Sequence, residues 1–198
     1  MLLPVNGLIL LSDRVNLKDR RKAVKTEPQR KDRAMKTPQE MEALMERLPV
    51  GYLGLATEDG PYVVPVNYLS FEGSIYLHSG PKGRKIDALQ ADSRVCFVVN
   101  EIGPQVLWER GCGISQIYES VTCFGRAEFV EDPAEKRRIL EEMTKKFVPA
   151  SHASAPLEDQ NVRGTAIIRI RVDGMTGKAN RISSFHTILP NRFWGAEK

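Results

Sequence analysis

The chain has 198 residues, enough for one hydrophobic core of ordinary size but not for two full domains. With 41% hydrophobic and 27% charged residues, its composition is that of a soluble globular protein and argues against wholesale disorder or a membrane bundle. The three cysteines, Cys96, Cys112 and Cys123, form no Cys-x-x-Cys pair and fit neither a disulfide framework nor a four-ligand zinc site, so no metal site is predicted.

Positive charge is concentrated at the start of the chain. Up to Lys36 there are ten basic and four acidic residues, a net charge of +6, whereas the remainder carries 19 basic and 21 acidic residues. We interpret residues 1–33 as a solvated basic arm, with binding to nucleic acid or anionic lipid as the less favoured alternative. The apolar patch at its beginning lacks the features of a signal peptide and is far shorter than the ~20 residues of a membrane span, so we expect a cytoplasmic protein.

The first predicted elements are a helix and three strands. Thr37-Pro38-Gln39-Glu40 supplies an N-cap, a first-turn proline and a capping-box glutamate, and the apolar spacing after it predicts about three helical turns. Residues 51–57 and 62–69 are β-prone and flank a turn signal, which predicts a hairpin. Pro65 marks an edge, a bulge or a place where the strand turns toward a ligand. Residues 74–78 predict the third strand.

The second half of the chain continues this mixture. Residues 101–120 are expected to form an irregular loop, which in a compact domain is often functional. A second long helix is expected to start at Asp132-Pro133, and residues 149–161 and the tail from Lys178 are expected to be irregular. The remaining predicted elements are a short helix at 84–90 and strands at 95–100, 121–130 and 166–172.

These elements predict a mainly β (α+β) fold, an antiparallel barrel or sheet of six strands with helices at the connections. The strands are mostly linked as hairpins, which argues against a wound α/β fold. The domain is placed at residues 34–178, between the basic arm at 1–33 and a C-terminal tail at 179–198.

The most informative motif is the run from Tyr76 to Lys85, a strand that delivers His78 and Ser79 into a glycine-rich turn before a basic helix. Glycines let backbone amides approach an anion, a helix start adds unpaired donors, and Lys82, Arg84 and Lys85 can neutralise a phosphate. The alternative is that the cations only decorate an exposed helix start. Cations are disfavoured there by the helix dipole, so we favour a phosphate site.

The chain resembles the flavin-binding split-barrel proteins related to pyridoxamine 5′-phosphate oxidase, and most closely their nitroimidazole-resistance (Nim-like) branch. The resemblance runs from about Arg30 to Lys178. It rests on the following segments: Arg30-Lys31-Asp32-Arg33, residues 60–68, residues 78–87, Arg94-Val95-Cys96-Phe97 and residues 124–133.

This resemblance implies a six-stranded split barrel and a homodimer with two FMN molecules at the interface, acting on small oxidised compounds such as nitroaromatics. It implies that the phosphate binds near Gly83, Arg84 and Lys85, and that His78, beside the cofactor, has a role in activity. Trp108 is expected either to cap the flavin ring or to fill the core of its loop. The full set of implied cofactor-binding residues is Val64, Pro65, Val66, Asn67, His78, Ser79, Lys82, Gly83, Arg84, Lys85, Tyr118 and Ser120, of which Tyr118 and Ser120 are expected from the partner chain.

Two other functions stay open from the sequence. One keeps the barrel but makes the ligand haem, with His78 as an axial ligand. The other is a non-enzymatic flavin-binding or sensing dimer whose basic arm binds nucleic acid.

Overall fold

The computed structural model describes residues 28–107, 113–152, 155–181 and 187–188. Most of the predicted basic arm, Trp108, Cys112 and most of the predicted tail lie outside these described residues. In the described ranges, no helix has the length and apolar character that crossing a membrane requires.

The helices begin where the sequence places its capping signals. Four α-helices and one 3-10 turn are described: the 3-10 turn Lys31–Arg33, α1 (Pro38–Arg47), α2 (Arg84–Ala91), α3 (Pro133–Phe147) and α4 (Asp159–Gly164). The Thr37 hydroxyl accepts a hydrogen bond from the Glu40 amide (3.3 Å), and the Asp132 carboxylate accepts one from the Glu135 amide (3.0 Å). These caps satisfy donors that the starts of α1 and α3 would otherwise leave unpaired.

One antiparallel sheet forms the body of the protein. Its strands are β1 (Val50–Thr57), β2 (Gly60–Asn67), β3 (Leu69–Phe71), β4 (Ser74–Ser79), β5 (Arg94–Leu107), β6 (Ile114–Val130), β7 (Ala166–Asn180) and β8 (Thr187–Ile188). Seven of them follow the order β2-β1-β5-β6-β7-β4-β3, and β8 pairs with β5. The path ends at β2 and β3, and β2 comes close to β4 without pairing with it.

The main hydrophobic core lies on one face of this sheet, under α1 and α2. Leu44, Leu53, Phe97 and Ile168 are completely buried there. On the opposite face α3 packs over the β4 and β7 side of the sheet, around a smaller cluster that includes Ile139. Burying a large aliphatic or aromatic side chain stabilises the fold by roughly 1.5–3 kcal/mol, so the two clusters fix the sheet between its helices.

The prediction that residues 101–120 form an irregular loop was wrong for the part that is described. Residues 101–107 continue β5, residues 114–120 begin β6, and the two segments pair with each other. Pro104 lies within a shift of register in this ladder, where a missing amide donor interrupts the pairing least. The sheet therefore extends along a long pair of strands, β5 and β6, with β8 and the end of β7 at its sides.

The predicted count of six strands was also too low. The chain leaves β2 at Tyr68, whose buried hydroxyl donates a hydrogen bond to the Met45 carbonyl (2.6 Å), and then starts the short strand β3. In the tail, β7 continues to Asn180 and β8 follows, so the tail is not irregular from Lys178. Within the segment expected to be irregular at 149–161, α4 begins at Asp159. The predicted fold class, a mainly antiparallel sheet with flanking helices, is confirmed.

Candidate functional site

The turn after β4 leads into the start of α2, where no described side chain accepts a capping hydrogen bond. Gly83 has a φ of 122°, a conformation that L side chains rarely adopt. Its carbonyl accepts hydrogen bonds from the amides of Ile86 (2.8 Å) and Asp87 (3.1 Å). A Cβ atom built at Gly80 or Gly83 would meet no other atom within 4 Å, so the space beside the turn is open. Uncapped amides and the positive end of the helix dipole suit this position to an anion.

The three cations of this turn have different surroundings. Lys85 is half-buried, desolvation lowers its pKa, and in the described ranges it has no carboxylate within 4.0 Å. The Arg84 guanidinium lies 4.6 Å from the centre of the Tyr62 ring and 3.7 Å from the Asp59 carboxylate. Lys82 is exposed. A half-buried ammonium without a partner disfavours folding, and an anion bound beside it would offset that cost.

The four predicted binding residues of β2 lie at the edge of the sheet. Val64 and Val66 are half-buried and pack against the core, whereas Pro65 and Asn67 are exposed. Pro65 pairs in register with a residue of β1, and its missing amide fits an edge strand. Because β2 comes close to β4, this edge and the end of β4 lie on the same side of the molecule.

His78 and Ser79 are the last two residues of β4. His78 is exposed and pairs in register with Ile167 of β7, and half-buried Ser79 pairs with Ala166. Both residues therefore lie directly before the glycine turn, on a strand that pairs along its whole length with the longer strand β7. Their backbone positions are fixed by the β4–β7 ladder rather than by a flexible loop.

The structure places Tyr118 and Ser120 at the opposite end of the sheet. Ser120 pairs with Lys178, whereas Ser79 pairs with Ala166 at the beginning of the same strand, β7. Twelve residues separate these partners, about 40 Å along a strand at 3.3 Å per residue. One protomer therefore does not bring Tyr118 and Ser120 together with the turn at Gly83.

Sequence reasoning did not identify a charged cluster beside Tyr118 and Ser120. The Glu119 carboxylate accepts hydrogen bonds from Arg47 (2.5 Å) and Arg181 (2.7 Å), and Arg181 also donates to Glu40 (3.1 Å). Partial burial by itself raises the pKa of Glu119, but the bonds from the two arginines outweigh it and hold this pKa below its usual value. These partners are distant in sequence, and they meet only because β6 pairs with the end of β7 and because α1 packs beside β6.

The described cysteines have structural surroundings. Burial, together with the neighbouring Cys96, raises the pKa of Cys123 to about 12, and its Sγ lies 3.8 Å from the Met45 Sδ. Desolvation also raises the pKa of Cys96. Thiols with raised pKa values are poor nucleophiles and poor metal ligands. Among the residues that the structure describes, no three His, Cys, Asp or Glu side chains are grouped as metal ligands would be.

Comparison with known proteins identifies the family. Residues 37–179 match the family model described as pyridoxamine 5′-phosphate oxidase. No curated protein matches the chain significantly. The matched span covers α1 to β7 and thus every predicted binding residue.

Many solved structures are similar to this chain, including the following three. A candidate 5-nitroimidazole antibiotic resistance protein from Bacteroides thetaiotaomicron is 32% identical, with a TM-score of 0.63 over 73% of this chain and 85% of that one. The flavocytochrome Anf3 from Azotobacter vinelandii is 19% identical, with a TM-score of 0.75 over 87% and 86% of the two chains. An FAD- and haem-binding protein from Mycobacterium smegmatis is 16% identical, with a TM-score of 0.70 over 80% and 83%. The last two show the shared fold alone.

Proposed function

The chain belongs to the pyridoxamine 5′-phosphate oxidase family, and we propose that it is an FMN-binding reductase of small oxidised compounds such as nitroaromatics. The observation that carries this proposal is the start of α2, which no described side chain caps, with the half-buried Lys85 beside it, which has no carboxylate partner among the described residues. The 32% identity to a candidate nitroimidazole resistance protein supports the substrate class.

The residues of the turn fit the phosphate of a flavin nucleotide. The amides at the start of α2 can donate to phosphate oxygens, and the positive φ of Gly83 lets the backbone approach them without a Cβ. Lys85 would gain the counter-charge that it lacks, and Arg84 could bind the same phosphate from the solvent side. A flavin bound here would supply the electron-transfer chemistry, and the protein would hold and orient it.

The edge of β2 and the end of β4 would position the rest of the cofactor. The exposed Asn67 side chain offers a donor and an acceptor beside the half-buried Val64 and Val66. At the end of β4, His78 carries the imidazole that we propose exchanges a proton with the reacting compound.

We further propose that the active form is a homodimer with the cofactor at the interface. Tyr118 and Ser120 are remote from Gly83 within one protomer, so they can contact the same cofactor only from a second copy. The β5–β6 hairpin near them exposes Ile102 (52%), Leu107 (42%) and Ile114 (66%), and burying these side chains would favour association.

The absorption spectrum of the purified protein tests the proposed function. We expect flavin absorption bands, a released cofactor with the mass of FMN, and anaerobic reoxidation of the reduced flavin by a nitroimidazole. A Soret band would instead assign haem, as in the flavocytochrome of similar fold. A released FAD would correct the cofactor, and a colourless protein that neither FMN nor FAD can reconstitute would overturn the proposal.

A further inference from the structure

A row of three arginines crosses the sheet outside the proposed flavin site. Arg94 of β5 pairs in register with Arg126 of β6, and Arg126 pairs with Arg171 of β7. All three are exposed, whereas the adjacent inward-facing side chains Val95 and Ile170 are buried. Because neighbouring strands are about 4.8 Å apart, the row covers about 10 Å of the outer face of the sheet.

The carboxylates around this row neutralise the positive charges of its three arginines unequally. Arg94 pairs with Asp92 (2.5 Å) and Arg171 with Glu128 (2.9 Å), but Glu128 also binds Arg169. Within the described part of the chain, Arg126 has no carboxylate within 4.0 Å, although Asp173 lies in the nearby register shift of β7.

Like charges directly opposite each other destabilise a sheet. Arg126 stands between two other arginines, and it shares the charge of Asp92, which Arg94 binds directly. A polyanion bound along the row would relieve this repulsion.

An open, mainly apolar cleft adjoins one end of the row. Its volume is about 330 Å³, and Arg94 lines it together with Tyr62, Val63 and Cys96. This is at the lower end of the size range of small-molecule sites. An apolar or aromatic group could lie in the cleft while an anionic group attached to it contacted the guanidinium groups.

We propose that the arginine row and this cleft bind a nucleoside diphosphate, with the diphosphate along Arg94, Arg126 and Arg171 and the base in the cleft. Guanidinium groups suit this ligand because each can donate two parallel hydrogen bonds to phosphate oxygens. The site adjoins the proposed flavin phosphate site, since Tyr62 of the cleft lies 4.6 Å from the Arg84 guanidinium, but the arginine row belongs to β5, β6 and β7 and shares no residue with the α2 turn. Its existence does not depend on the proposed reductase function.

Isothermal titration calorimetry with ADP tests this proposal on the full-length protein as purified, at low ionic strength. We expect saturable binding to the wild type, weaker binding of inorganic pyrophosphate, and a loss of ADP affinity of about 10- to 150-fold in Arg126→Gln. Arg163→Gln is the matched control, since Arg163 is also exposed and has no carboxylate partner within the described residues. It should bind ADP like the wild type.

Several results would overturn the proposal. These are the absence of saturable ADP binding to the wild type, equal affinities of Arg126→Gln and Arg163→Gln, and pyrophosphate binding as tight as ADP. Loss of ADP binding in an Arg84→Ala/Lys85→Ala variant, with Arg126→Gln unaffected, would assign the anion to the α2 turn. A change in solution mass of Arg126→Gln by light scattering would assign the row to a subunit contact.

Discussion

At the α1 end of the sheet, Arg47 and Arg181 are hydrogen-bonded to carboxylates, whereas at the α2 end the half-buried Lys85 has none among the described residues. The first arrangement is complete in the protomer and ties α1 to β6. In the second, a cation and a set of helix-start amides have no anionic partner in the part of the chain that the structure describes. Pairing with carboxylates therefore distinguishes structural cations from cations available to a ligand better than the number of basic residues does.

The largest expected effect is the loss of flavin affinity in Arg84→Ala/Lys85→Ala. Each side chain removed takes away a charge-assisted hydrogen bond, and because Arg84 is exposed we expect a combined loss of about 10²- to 10³-fold in FMN affinity. Fluorescence titration of the apoprotein measures it. The matched control Lys31→Ala/Arg163→Ala removes two exposed cations elsewhere and should leave the affinity unchanged. Equal losses in both variants would show that general charge, not the turn, binds the flavin.

The next largest effect is expected from a substitution that changes the backbone of the turn at Gly83. Gly83→Ala places a Cβ on a residue with φ of 122°, so we expect a loss of about 1–3 kcal/mol in the free energy of unfolding or a displaced start of α2. Gly80→Ala is the control, because Gly80 lies in the same turn, has open space and has no positive φ. Urea unfolding of both variants measures the difference, and similar values would contradict the strained geometry at Gly83.

Glu119→Gln tests the cluster in which Arg47 and Arg181 are bonded to a carboxylate. The pKa of Glu119 is lowered in the folded state, so its charged form stabilises the protein. This stabilisation is complete when the pH is above the usual pKa of a glutamate, and it is lost progressively as the pH falls below that value. We expect the variant to be less stable by about 1 kcal/mol at pH 7, with the difference shrinking toward pH 3. Glu141→Gln, at an exposed helix position, should change stability little at either pH. A difference for Glu119→Gln that is independent of pH would rule out its charge as the cause.

The smallest expected effect is a gain in stability rather than a loss. Lys85→Met removes a desolvated ammonium that has no described carboxylate partner, so the flavin-free protein should gain about 0.5 kcal/mol of stability while losing flavin affinity. Thermal unfolding without and with FMN measures the two changes. Destabilisation of the flavin-free variant would mean that Lys85 has a structural partner, as Arg47 does.

The sequence predicted the elements whose signals are local. Thr37 and Asp132 cap their helices as expected, and the strand predicted at residues 95–100 is found within β5. The long β5–β6 hairpin was missed because a proline such as Pro104 usually indicates the end of a strand. The strand tolerates Pro104 only because of a register shift in its pairing with β6, which the local sequence does not reveal. The start of β3 after Tyr68 was missed for a similar reason, since the buried bond from Tyr68 to Met45 depends on tertiary packing.

The candidate site was predictable only in part. The glycine turn and its cations are contiguous in sequence, so their grouping could be read directly. The half-burial of Lys85 and the contact of Arg84 with Tyr62 depend on how the β1–β2 hairpin meets α2. The row formed by Arg94, Arg126 and Arg171 depends on the register of three strands, and no local pattern reveals it.

The most direct test compares FMN with riboflavin, which lacks the phosphate, in the wild type and in Arg84→Ala/Lys85→Ala. If the start of α2 binds the phosphate, the wild-type apoprotein should bind FMN at least about 100-fold more tightly than riboflavin. The double variant should lose most of this preference while keeping its riboflavin affinity. A wild type that binds the two flavins equally, or a double variant with an unchanged preference for FMN, would contradict phosphate binding at the start of α2.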